Sequence, residues 1–93
     1  MSQIKDYLEE NKDQLDVFTT AITRAHGKNH PEVFEVKDIY DDINQKIENG
    51  NEDLTGDFDK LTKITNNYAI PDDVCPTFEA TYHMLEKMNQ IVA

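Results

Sequence analysis

In RAHGKNHPE (24–32), His26 and His30 stand four residues apart. At that spacing a continuous helix presents two imidazoles to one metal ion. Gly27 lies between them and Pro31 follows, and these residue types end one helix and open another. The third histidine, His83, follows Glu79 by four residues. Carboxylate-bridged di-iron bundles pair Glu and His three apart on each of two helices. Glu79–His83 is one position too wide and has no second copy, so it reads as a surface pair before it reads as a metal site. Cys75 falls near a helix start, where unpaired N–H groups lower a thiol pKa. It also fits an apolar stripe, with no histidine beside it in sequence, and reads first as a small core filler.

Other chemistries find less support. Ser2 is the only serine, so a nucleophilic triad has no centre. The acidic run NGNEDLTGDFDK (49–60) looks like a calcium loop, but an EF-hand needs Gly at its sixth place and Glu at its twelfth. Leu54 and Lys60 hold those places, and a solvated helix start is the better reading. Tyr40, Tyr68 and Tyr82 read as core-edge residues with their hydroxyls at the surface. His30 precedes a proline and is biased out of the α region, which makes it a turn residue. His26 falls in the last turn of the preceding helix, where a cation suits the dipole. The two rings then diverge from a shared metal.

Three turn signals divide the chain: HGKNHP (26–31), ENGNED (48–53) and NNYAIPDD (66–73). Each segment between them has helical periodicity. The first carries Ile4, Leu8, Leu15, Phe18, Ile22 and Ala25, with Gly27 suited to a left-handed cap. The second opens with a capping-box-like Asn29 and Glu32 and carries Val33, Val36, Tyr40, Ile43 and Ile47, widened by Ile39. The third starts near Asn51 or Asp53 and carries Leu54, Phe58, Leu61, Ile64 and Tyr68. The fourth, capped by Asp72 or Asp73, carries Cys75, Phe78, Tyr82, Leu85, Met88 and Val92, with Pro76 in its first turn. The predicted fold is an all-α, up-down-up-down four-helix bundle forming one domain over residues 1–93. The turn at 26–31 and the 66–73 connection, the two stretches favoured for interaction, are expected at different ends of it.

Nineteen acidic residues against nine basic ones give a formal charge of −10. Such a surface repels phosphate backbones, so nucleic acid and anionic membranes are not expected partners. One cysteine cannot make an internal disulfide. No signal-like or membrane-spanning apolar run is present, and a cytoplasmic setting is expected.

Two stretches go beyond generic helix: AITRAHGKNHPEVFEV (21–36) and LTKITNNYAIPDDVCPTFEATYHMLEKMNQIV (61–92), of which TNNYAIPDDVCPTFEATY (65–82) is the more specific. They resemble the di-iron iron–sulfur-cluster repair proteins of the hemerythrin-like superfamily. The resemblance implies a hemerythrin-like bundle and a link to nitrosative or oxidative stress. It places His26 where that family has one ligand to its iron pair. It also implies that the remaining ligands are gone. No histidine precedes His26, and NQKIENGNEDLTG (44–56) runs through the place of a His- and Glu-bearing segment. DFD (57–59) puts Phe58 where a histidine stands, and a final His–Glu pair falls beyond Val92. The expectation is a metal-free binding or regulatory module with no catalytic residue and no resident cofactor. It is joined to a protein partner or to a second copy of itself. The alternative is an iron protein using His26, with His30 or His83 and ligands shared across an oligomer.

Overall fold

The computed structural model describes residues 3–92. Four helices account for the regular structure: α1 (Gln3–His26), α2 (Glu32–Glu48), α3 (Thr55–Ile64) and α4 (Pro76–Val92). They form a four-helix bundle, with no strand among the described residues. At 1.5 Å per residue the 24 residues of α1 span about 36 Å, close to the 38 Å long axis of the molecule. α1 packs against both α4 and α2, and α2 packs against α3. No described helix is long and apolar enough to cross a membrane.

The stripe on α2 is buried as its spacing predicts: Val33, Val36, Tyr40, Ile43 and Ile47 all face the core. α4 contributes Phe78, Tyr82, Leu85 and Met88, and α3 contributes Phe58 and Leu61. On α1 the core face is Ile4, Leu8, Leu15, Thr19 and Ile22. The periodicity misplaces two residues there, since Phe18 is only half-buried and Ala25 is exposed. Thr19 takes a core place because its hydroxyl donates to the Leu15 carbonyl at 2.8 Å, which satisfies the polar atom inside the helix itself. The tyrosine hydroxyls also depart from expectation. Tyr40 turns inward and donates to Asp16 Oδ1 at 2.8 Å, and the Tyr82 hydroxyl is buried with no partner among the described residues.

The helix ends differ from the capping pattern in the sequence. α2 begins at Glu32 after Pro31, whose φ of −62° is already helical, and no side chain caps it. Asn29 instead closes a turn, its N–H donating to the His26 carbonyl at 3.1 Å. Gly27 is not left-handed; Gly50 is the only glycine with positive φ. What Gly27 supplies is room: a Cβ there would press on the Thr23 carbonyl and approach the Phe34 ring at 2.6 Å. α3 starts later than expected, at Thr55, because Asn51 Oδ1 accepts the Asp53 N–H at 3.0 Å and holds those residues in a turn. α4 starts at Pro76, so neither Asp72 nor Asp73 caps it. Between α3 and α4, Asn66, Asn67 and Tyr68 take φ of 53°, 60° and 60° in succession. The left-handed turn carries the Tyr68 side chain back under the bundle, where it is buried.

Candidate functional site

In a bundle whose helices alternate in direction, the end of α1 and the start of α4 lie together. The turn at 26–31 and the 66–73 connection therefore share one end of the molecule, contrary to the expectation from sequence. The contact that shows it is His30 Nε2 to Asp73 Oδ1 at 2.8 Å.

His26 is the last residue of α1, and Cys75 immediately precedes α4. Their side chains meet, with His26 Nε2 3.1 Å from Cys75 Sγ. The backbone N–H of Cys75 donates to the same Nε2 at 3.3 Å. A nitrogen that accepts this bond presents its lone pair toward Cys75, so the neutral ring carries its proton on Nδ1 and the thiol donates to Nε2. That is the arrangement in which an imidazole can take the thiol proton. The Cys75 thiol is pulled down to about 7, first by the hydrogen bond with His26 and then by the backbone N–H groups of Phe78 and Thr77 at the start of α4. Partial burial opposes the shift and is outweighed. The side chain is half-buried at the edge of the core. Cys75 thus does pack against the core as its stripe position predicts, and it also faces an imidazole.

Phe78, one turn into α4 and fully buried, supports the site from beneath. The His26 ring stands edge-on to it at 5.5 Å and 86°. The His30 ring meets it at 5.8 Å and 62°, and Tyr82 backs it at 4.4 Å. One aromatic ring from the core therefore positions both histidines.

His30 has carboxylates at both ring nitrogens: Asp73 at Nε2, and Glu32 Oε2 at Nδ1 at 3.2 Å. Only the imidazolium can donate to both. The His30 pKa is raised, chiefly by the Asp73 hydrogen bond, and the same bond lowers that of Asp73. The His30 N–H donates to the His26 carbonyl at 2.7 Å, which ties the two histidines through the backbone.

The structure brings two of the three sequence candidates, His26 and His30, to one site. Each is committed to its own acidic or thiol partner. His83 lies on the exposed face of α4, and among the described residues neither it nor Glu79 makes a side-chain hydrogen bond or ion pair. Phe58, in the place where the resemblance expects a histidine, is packed into the core. Among the described residues no three His, Cys, Asp or Glu side chains gather as a set that could hold a metal. These donors do not compose the di-iron centre that the resemblance describes. The residue that sequence reasoning undervalued is Cys75, because its partner is 49 positions away. The parity of the helices was the signal that could have joined them. No family model matches the chain, and no solved structure matches it.

Proposed function

We propose that this chain is a small metal-free regulatory module of cytoplasmic nitrosative or oxidative stress, acting alongside iron–sulfur cluster repair, and that Cys75 is its responsive group. The observation that carries the reading is the 3.1 Å contact between His26 Nε2 and the Sγ of the half-buried Cys75. The stress setting comes from the resemblance of 21–36 and 61–92. A thiol with a pKa of about 7 is ionised to a large extent at neutral pH. His26 receives the proton that leaves sulfur. The thiolate then attacks the sulfur of a low-molecular-weight disulfide. One sulfur–sulfur bond forms as another breaks, and the displaced thiolate departs, so electrons balance without a further oxidant. With an S-nitrosothiol the same attack falls on the nitroso nitrogen and releases the donor thiolate.

Modification replaces the thiol of the His26 contact with a larger group, which changes the surface formed by the 26–31 turn and the start of α4. A protein partner reads that surface. Val17 and Phe34, exposed on the outer faces of α1 and α2, offer it apolar footing.

Two measurements test the reading. Wild-type protein treated with a disulfide or nitrosothiol at neutral pH gains one adduct on Cys75 by mass spectrometry, and His26→Gln gains it about threefold more slowly, the smaller thiolate fraction being partly offset by a more nucleophilic thiolate. Equal rates in the two proteins contradict the reading. Protein purified anaerobically carries no stoichiometric iron and keeps its unfolding midpoint when ferrous ion is added; about two irons per chain with an oxo-bridge absorption overturns the metal-free part.

A further inference from the structure

Two contacts, not one, join the α1–α2 turn to the segment that leads into α4. His26 meets Cys75, and His30 meets Asp73. The partners are four residues apart on one side and two apart on the other, so the contacts work on the same short piece of chain. Asp73 is exposed and stands outside α4, preceded by the Asn66–Tyr68 left-handed turn. Ile70 and Val74 pack this segment at the core edge, and the Asp73 side chain is tied to the rest of the bundle by the His30 ring.

We propose that His30 is a latch on the reactive thiol: as an imidazolium it holds Asp73, and through Asp73 it keeps Cys75 seated against His26. The inference rests on the reading of Cys75 above and supplies its regulation. The groups that face His30 are Asp73 from the α3–α4 connection, Glu32 from the first turn of α2 and the His26 carbonyl from the end of α1, with the uncharged Phe78 ring from α4. Both ionisable neighbours are carboxylates, so each favours the charged ring. When His30 loses its proton it keeps one N–H, and one carboxylate then faces a lone pair instead of a donor. The contact with Asp73 weakens, and the two-residue link to Cys75 slackens with it.

The sign follows from the shifts. His30 is raised, so its contribution is present in full below the unfolded imidazole value and is lost as pH rises through the folded one. Asp73 is lowered, so its contribution is present above the unfolded carboxyl value and is lost as pH falls through the folded one. The latch is closed between those two titrations and opens on the alkaline side.

Proton-detected NMR of the full chain reads this directly. The Cys75 amide of the wild type shows two inflections with pH, one from its own thiol and one coincident with the His30 ring. In Asp73→Asn the His30 titration falls toward its ordinary value and the second Cys75 inflection moves with it. In His30→Gln that inflection is lost while the thiol inflection remains. A Cys75 amide that ignores the His30 titration, or keeps its second inflection in His30→Gln, overturns the latch and leaves the reading of Cys75 intact. A thiol inflection that is the same in His26→Gln as in the wild type overturns that reading instead. Far-ultraviolet circular dichroism confirms that each variant keeps its helices, and because Asp73 is exposed its replacement leaves the core untouched.

Discussion

At the α2–α3 end of the bundle, Lys46 closes on Asp57 at 2.9 Å and on Asp42 at 3.3 Å, with the Asp57 carboxylate almost fully buried. At the opposite end, the turns are joined by a thiol against an imidazole and by a second imidazole against two carboxylates. Both sets of contacts tie neighbouring segments together. Their chemistry differs in how it answers pH and electrophiles. An ammonium and a carboxylate keep their charges across the neutral range, and Lys46 is pushed further up by Asp57 and Asp42. Cys75 is set at about 7, and His30 is raised from an ordinary value already near neutrality. One end is a fixed fastening and the other changes state under conditions a cell produces. The responsive end is where function is expected.

Breaking the histidine end from beneath has the largest expected effect. Phe78→Ala removes a fully buried ring that supports His26 and His30 together. It should cost about 3–5 kcal/mol by denaturant unfolding, and in the folded fraction the Cys75 thiol pKa should rise. Gly27→Ala comes next, at about 1–3 kcal/mol, because its Cβ presses on the Thr23 carbonyl, which cannot move without bending α1. The Phe34 ring is exposed and can swing away. The double variant Gly27→Ala with Phe34→Ala should therefore regain only a small part of the loss.

Asp57→Asn separates the two ends more finely. It leaves Lys46 beside a buried neutral amide and lowers the unfolding midpoint by a similar amount at every pH from mildly acidic to mildly alkaline. Asp73→Asn, at an exposed site, has the smallest effect on the midpoint. It should nevertheless flatten the part of the pH profile in which wild-type stability falls as His30 deprotonates. If Asp57→Asn alters the slope and Asp73→Asn does not, the contrast between the ends is wrong.

Much of the fold was legible because helical spacing and burial coincide on α2 and α4. Val33, Val36, Tyr40, Ile43 and Ile47 recur at three and four residues, and each is buried. Legibility failed where a polar side chain satisfies itself inside the helix, as Thr19 does, and where caps were assigned by residue type alone. Asn29 and Gly27 suit caps by type, but their work is a turn hydrogen bond and a close approach of side chains. Half of the site was legible too, since His26 and His30 drew attention by spacing. The other half was hidden because Cys75 and Asp73 reach them through tertiary structure, across 49 and 43 positions. An alternating bundle places the end of its first helix beside the start of its fourth, so topology alone could have paired these residues.

The measurement that bears most directly on the account is the pH titration of the Cys75 thiol, followed by thiolate absorbance or alkylation rate in the wild type and in His26→Gln. The account predicts a wild-type thiol pKa of about 7 and a rise toward ~8.5, the value of a free thiol, once the imidazole is gone. A wild-type thiol that already titrates at the free value, or one that His26→Gln leaves in place, contradicts it.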